Sequence, residues 1–340
     1  MRIGVIGGGV AGLSAAVALR RRGFEVVVFE SRSRHQPSPR AGHVHRMDAA
    51  GFDLLDALIG PKGPPLRSQR VPFGLAREGA VAWRGQQRLT SLAEVESALA
   101  RAAGMAGARL DYDVKVETVT PTQAGWYVGP ASLPGQRFDL LVDASGAHRA
   151  LLEGLGEAGP DVWMDEIAGP EWHMSMGGTS DRAMPGMVAW SHDGLEGLLQ
   201  IDEDGQVTLT ARSSEAGRLG HERVRQAVGL AGGDALAKTV ETISFSKDTR
   251  RYTSTATRLM ALDQADLGRW PPFVLIGDAL IEAPPRHGEG MGRALAQALT
   301  LSGILEAGPT RGCAVELTRD ARSRWAGYGI ARALRSGGAA

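Results

Sequence analysis

Val5-Ile6-Gly7-Gly8-Gly9-Val10-Ala11-Gly12 sets the pattern G-x-G-x-x-G directly behind a short apolar run. Arg2 to Ile6 predicts a buried strand, Leu13 to Arg22 a helix, and Glu25 to Phe29 the next strand, which together make a β-α-β unit. In that setting Gly7 permits a tight turn, Gly9 lets backbone approach a pyrophosphate, and Gly12 lets helix and strand pack closely. The helix start, with Val10 and Ala11, offers unpaired N–H groups and a partial positive charge to that pyrophosphate. Glu30 closes the second strand, next to Ser31, where a carboxylate accepts hydrogen bonds from both ribose hydroxyls. The same charge repels a 2′-phosphate, so the site suits the adenosine of FAD or NAD rather than that of NADP.

A second signature lies near the other end of the chain. Phe273-Val274-Leu275-Ile276-Gly277-Asp278 ends an apolar strand, and Gly288-Glu289-Gly290-Met291 opens a helix expected to run from Met291 to Leu305. A nicotinamide dehydrogenase needs only the first signature. A flavoprotein that grips FAD at both ends uses both. Asp278 is placed to accept a hydrogen bond from a ribitol hydroxyl. Gly288 and Gly290 clear space so that the helix-start N–H groups face the flavin N1–C2=O edge, where reduced flavin carries negative charge.

Composition narrows the class. A chain of 340 residues is long enough for one large or two moderate domains. Lys plus Arg equals Asp plus Glu at 38 each, and the basic runs are short, so a nucleic-acid partner is not expected. No stretch has the roughly 18 uninterrupted apolar residues of a membrane span, and the N-terminal apolar run belongs to the dinucleotide motif rather than to a signal peptide. The single cysteine, Cys313, excludes an internal disulfide and a cysteine-cluster metal site. A soluble cytoplasmic protein is the expectation.

Between the signatures, Ser31 to Pro39 reads as a loop, Val44 to Ile59 as a helix, and Ser91 to Ala103 as a helix whose Ser91 and Glu94 fit a capping box. Val114 to Thr120, which carries Val116 as a further cofactor-lining candidate, Gly125 to Val128 and Phe138 to Val142 read as strands. Beyond Leu155 Trp and Met become frequent, with strand-like pieces at His173–Met176, Met187–Trp190 and Val207–Ala211. The expected architecture is α/β. A Rossmann-like FAD-binding domain (residues 1–155 and 263–340) carries an inserted, mainly β-sheet substrate domain (156–262), and Arg311 to Leu334 forms a terminal helix.

These residues resemble the flavoprotein monooxygenases of the aromatic-hydroxylase and polyketide-epoxidase type along nearly the whole chain. Four motifs carry the resemblance. They are Gly7-Gly9-Gly12 with Glu30; Arg40-Ala41-Gly42-His43-Val44-His45, where such enzymes place an arginine near the cofactor phosphates; Asp139-Leu140-Leu141-Val142-Asp143-Ala144-Ser145-Gly146, similar to the internal D-G motif; and Gly277-Asp278 through Pro285 to Gly288-Glu289-Gly290-Met291. The resemblance implies bound FAD, reduced transiently by NADH or NADPH, with O2 as co-substrate adding at C4a to give a hydroperoxyflavin. Arg40, Asp143, Ala144 and Gly146 would line the cofactor, and Pro285 would wall the flavin ring. Arg286 and His287 are the polar residues expected nearest the reacting ring, and His287 has a reference pKa suited to shuttling a proton.

The pattern also departs from the family. The usual Arg or Gln before the helix containing Glu96 corresponds to Leu92, with Arg40 or Arg88 as possible substitutes; Ile281 replaces a common histidine, and Glu289 the usual Gln. The W-x-W-x-I-P signature of flavin halogenases is absent. Trp172, Met174, Met176 and Trp190 are candidates for a substrate wall, with a plain core face as the competing reading. His43 and His45 lack a third partner at metal-ligand spacing, so no metal site is expected. The favoured substrate is an aromatic or unsaturated small molecule. Two other readings stay open: a hydride-only reductase or desaturase, and a maturation enzyme that oxidises a side chain in a partner protein or peptide. A separate flavin reductase as electron donor also stays open.

Overall fold

Strands β1 (Arg2–Ile6) and β2 (Glu25–Glu30), joined by helix α1 (Val10–Arg21), form the expected β-α-β unit in the computed structural model. The structure describes residues 1–36, 47–129, 135–168, 171–254, 257–282, 289–308 and 312–336. The chain continues through α2 (Ala49–Ile59), β3 (Gln69–Arg77), β4 (Ala80–Leu89), α3 (Leu92–Met105) and β5 (Arg109–Tyr112). Next come β6 (Thr118–Thr122), β7 (Gly125–Gly129), β8 (Gln136–Phe138), β9 (Leu140–Asp143) and α4 (Ala150–Leu155). The middle of the chain holds β10 (Met164–Ala168), β11 (Glu171–Thr179), β12 (Gly186–His192), β13 (Leu195–Ile201), β14 (Gln206–Ser213), α5 (His221–Glu241), β15 (Ser244–Ser254) and β16 (Thr257–Met260). It closes with β17 (Phe273–Leu275), β18 (Ile281–Glu282), α6 (Glu289–Glu306) and α7 (Cys313–Ser336).

One sheet is five-stranded and parallel, in the order β17-β9-β1-β2-β5. Its strands read as near-continuous apolar runs because both faces are covered, and Ile3, Val5, Val27, Val28, Leu141 and Val142 are fully buried. Helix α1 packs against α6 and α3. Local signals set the helix starts: Asp48 Oδ1 accepts the Gly51 N–H at 2.7 Å at α2, and Ser91 Oγ accepts the Glu94 N–H at 3.1 Å at α3. The antiparallel trio β6-β7-β8 leans on this domain through Trp126, whose indole N–H donates to the Pro272 carbonyl at 2.8 Å.

The second large sheet has seven strands in the order β15-β11-β14-β13-β12-β3-β4. Its composition corrects the expected boundary at 156, because β3 and β4, residues 69–89, belong to this sheet. β3 runs parallel to β12, with Phe73 opposite Met187. Val71, Phe73 and Leu75 do alternate, but Pro72 and Gly74 between them break the strand signature, and the ladder shifts register at that point. Residues 257–260, also assigned to the substrate domain, instead form β16, the centre of a three-stranded sheet with β10 and β18. Helix α5 was not expected either. Gly229, Gly232 and Gly233 interrupt its apolar pattern, and Gly233 takes φ +68° at a kink.

Candidate functional site

Three of the four sequence motifs come to one place, the carboxyl edge of the parallel sheet, where the strand order reverses between β2 and β9 on either side of β1. Backbone hydrogen bonds tie them together: Gly7 N–H to the Phe29 carbonyl (2.8 Å), Ala144 N–H to Ile6 (2.8 Å) and Ile276 N–H to Asp143 (2.9 Å). Gly7 has φ +104°, which only glycine adopts without strain, and a Cβ on Gly12 would run into the Gly7 carbonyl oxygen. In front of Gly9, the N-cap of α1, nothing among the described residues but Glu96 Oε1 comes within reach of an added Cβ. The loop therefore leaves open the volume that a pyrophosphate needs beside the N–H groups of Val10 and Ala11.

The second signature closes on the first. Gly277, at φ +63°, sits so near α1 that an added Cβ would stand 2.8 Å from the Ala11 Cβ. Its N–H donates to the buried Gln297 Oε1 on α6 at 2.6 Å. Asp278 follows, half-buried, in the turn after β17. At the start of α6, nothing among the described residues stands where a side chain on Gly290 would be, while Met291 is buried in the core. Arg40, Pro285, Arg286, His287 and Gly288, together with His43 and His45, lie outside the described residues.

Glu30 is buried at the end of β2, and both its oxygens accept hydrogen bonds. Its Oε2 accepts the Gly8 N–H at 2.8 Å, and its Oε1 accepts the Arg32 N–H at 2.8 Å and the Ser31 hydroxyl at 3.4 Å. The Arg32 guanidinium pairs with it at 3.0 Å. Burial works to raise the Glu30 pKa, but the hydrogen bonds and charge of Arg32 and the Gly8 N–H outweigh it, and the carboxyl stays below its ordinary value. The segment carrying the half-buried Val116 runs beside this end of β2, since Val114 N–H donates to the Glu30 carbonyl at 3.0 Å.

Asp143 has a different setting from the one the resemblance implies. It is fully buried, and its carboxylate accepts from Ser145 N–H (2.9 Å), Ser145 Oγ (2.6 Å) and Leu151 N–H (2.9 Å). Burial pushes its pKa up despite these bonds. Its work is to fold the turn through Gly146 that carries Arg149. Arg149 then reaches across to the Ala279 carbonyl at 3.2 Å and Glu282 at 3.1 Å, joining the third motif to the fourth. Arg88 is committed elsewhere, to Asp56 at 2.6 Å and the Phe52 ring, and Leu92 is buried in the core. His148 is exposed.

The two faces of the seven-stranded sheet differ. Met174, Met176 and Trp190 pack with Val224 and Val228 of α5, and Trp172 lies against the same cluster. These four side chains are thus core residues beneath a helix. On the opposite face, His173, Arg212 and Glu196 stand in one cross-strand row. Arg212 bridges Glu171 (2.9 Å) and Glu196, and His173 Nε2 lies 3.8 Å from Glu171. Two rows along stands Gln200, buried beside Met187 and Thr208, with its Oε1 lacking a hydrogen-bond partner among the described residues. Gln87 on this face donates to the Met47 carbonyl at 2.7 Å, at the start of α2. Gly51 of α2 in turn lies against Gly292 of α6. This face, polar at Arg212 and Gln200 and apolar at Met187, Leu198 and Phe73, therefore fronts the dinucleotide domain. Sequence reading passed over Arg212 and Gln200 because a buried polar face shows only once strand register is known.

The fold is that of the flavin-dependent hydroxylases. Residues 5–54 match the family described as an NAD(P)-binding Rossmann-like domain. No curated protein matches the chain by sequence. Among solved structures it is similar to a flavoprotein/dehydrogenase from Cytophaga hutchinsonii, at 16% identity over 94% of this chain and 79% of that one, with a TM-score of 0.68. It is also similar to QhpG, a peptidyl tryptophan dihydroxylase essential for tryptophylquinone cofactor biogenesis (18% identity, 94% and 71% coverage, TM-score 0.65). A third is aklavinone-11 hydroxylase in a ternary complex with FAD and aklavinone (20% identity, 90% and 62% coverage, TM-score 0.64). At these identities the likeness is one of fold. Among the described residues, no helix is long and apolar enough to cross a membrane.

Proposed function

We propose that the chain is an FAD-dependent monooxygenase that hydroxylates or epoxidises an aromatic or unsaturated small molecule. The observation that carries this is the contact of the two signatures at Ala11 and Gly277, which makes one continuous cradle from Glu30 to the start of α6. A mononucleotide or nicotinamide site would use only the first half of it. When bound, FAD supplies electron acceptance from a transient NADH or NADPH and the activation of O2.

The chain's own residues position and shield. Glu30 holds the adenosine ribose, the N–H groups of Val10 and Ala11 face the pyrophosphate, and Asp278 meets the ribitol. The start of α6 presents its N–H groups to the ring edge that becomes negative on reduction. The polar face of the seven-stranded sheet is the opposite wall, where Gln200 Oε1 is the unpaired acceptor for a substrate hydroxyl or amine. Arg286 and His287, by their place between Pro285 and Gly288, are the residues assigned to proton movement at the substrate.

The test is the absorbance spectrum of purified protein, then anaerobic NADH or NADPH, then 18O2 with candidate aromatic substrates. Flavin that bleaches and label that enters product support the reading. Reduction that is reoxidised only by an organic acceptor moves it to the hydride-only class. Labelling of a peptide but of no small molecule moves it to a maturation enzyme. No flavin after reconstitution overturns it.

A further inference from the structure

Helix α3 brings a carboxylate to the place where the dinucleotide's own negative charge has to lie. Glu96 Oε1 stands 3.7 Å from the point that a Cβ on Gly9 would occupy. Gly9 caps α1, and the clear volume on its open side is the one that receives the pyrophosphate. That volume is thus bounded by an acid.

Glu96 is held there from the side. Arg32 Nη1 lies 3.3 Å from Glu96 Oε2, while Nη2 of the same guanidinium lies 3.0 Å from Glu30 Oε2. One cation spans two carboxylates. Among the described residues, the charged and titratable groups facing Glu96 are Glu30 at the end of β2 and Arg32 in the loop behind it, with Arg34 and Tyr112, at the end of β5, in the next layer. The two acids respond in opposite ways to shared surroundings. Glu30 gains enough from Arg32 and Gly8 to stay below its usual range, whereas burial of Glu96 outweighs its bridge to Arg32 and raises it above its ordinary value.

We propose that Glu96 sets the protonation state in which FAD is held: binding the pyrophosphate takes up one proton at Glu96, so affinity falls as pH rises. The inference rests on the FAD reading of this site. Its sign follows from linkage. Two phosphate charges beside a carboxylate favour the neutral acid, so the bound state binds the proton more tightly than the free state. Between the two pKa values affinity then drops by up to about tenfold per pH unit. Glutamine at this position keeps the shape and an acceptor oxygen for Arg32 and removes the charge.

The experiment is calorimetric titration of flavin-free protein with FAD from pH 6 to 9, in two buffers of different ionisation enthalpy. FAD's own pyrophosphate does not titrate in this range. Wild type is expected to take up close to one proton within part of the range and to lose at least about tenfold in affinity across it. Glu96→Gln is expected to bind more tightly at pH 8, with a flat pH profile and no proton uptake, and Glu96→Ala should share the flat profile. Binding with the same slope and uptake in wild type and Glu96→Gln overturns the proposal and leaves the FAD reading standing. Absence of FAD binding in wild type at every pH overturns both.

Discussion

The glycine-lined edge of the parallel sheet and the polar face of the seven-stranded sheet are built on opposite terms. At the first, the shape rests on absent side chains: Gly7, Gly12 and Gly277 each sit where a Cβ would collide with neighbouring backbone or with Ala11. At the second, it rests on side chains that hold one another, with Arg212 between Glu171 and Glu196. A site made of backbone can be altered only by adding bulk. A site made of paired charges is altered by removing one partner.

The sharpest break of this contrast is Gly12→Val. Any side chain there meets the Gly7 carbonyl, so a loss of at least about 3 kcal/mol is expected, read as lost soluble yield and absent flavin. Full flavin content in that variant would mean the loop is not shaped by close packing. Next is Arg212→Met, which leaves the buried Glu171 without its guanidinium and should cost about 3 kcal/mol in urea unfolding. Adding Glu171→Gln should recover most of that loss; no recovery would show that packing, not charge, holds the polar face.

Glu30→Ala sharpens the comparison from the cradle side. It should weaken FAD binding by roughly tenfold to a hundredfold, measured by equilibrium dialysis. Glu30's depressed pKa also contributes stability that is present above the ordinary carboxylate value and lost as pH falls through the folded one. Acid unfolding of Glu30→Ala should therefore be shallower than that of wild type. The smallest effect belongs to Cys313→Ser, in the core beneath the parallel sheet. The thiol is buried and pushed up to about 11, so it should resist alkylation at pH 8 in the folded protein. Its replacement should cost about 1 kcal/mol for burying a hydroxyl, with flavin content unchanged.

The same contrast explains what could be read before folding. Glycines with fixed spacing after an apolar strand are a local pattern, so β1, α1, β2, Glu30 and the Gly277-Asp278 turn were all legible. Glu96 was visible as a helical residue, but its approach to Gly9 depends on how α3 docks on α1. Arg212 and Gln200 come onto one face only through pairing across β11, β13 and β14. The Trp172–Met176 alternation marked a real strand, and the side its apolar residues face was settled by α5, whose own pattern three glycines had blurred. Pro72 and Gly74 did the same to β3.

That misplaced strand has a consequence for how the chain is born. β3 finishes its sheet through Phe73 opposite Met187 on β12, which lies far downstream in the sequence. During synthesis β3 and β4 emerge as a lone hairpin with Val71 and Phe73 uncovered. At roughly 5–20 residues per second, their partner follows on the order of 5–20 s later. Until then the hairpin must be kept from pairing with the wrong edge, on this ribosome or the next one along the message.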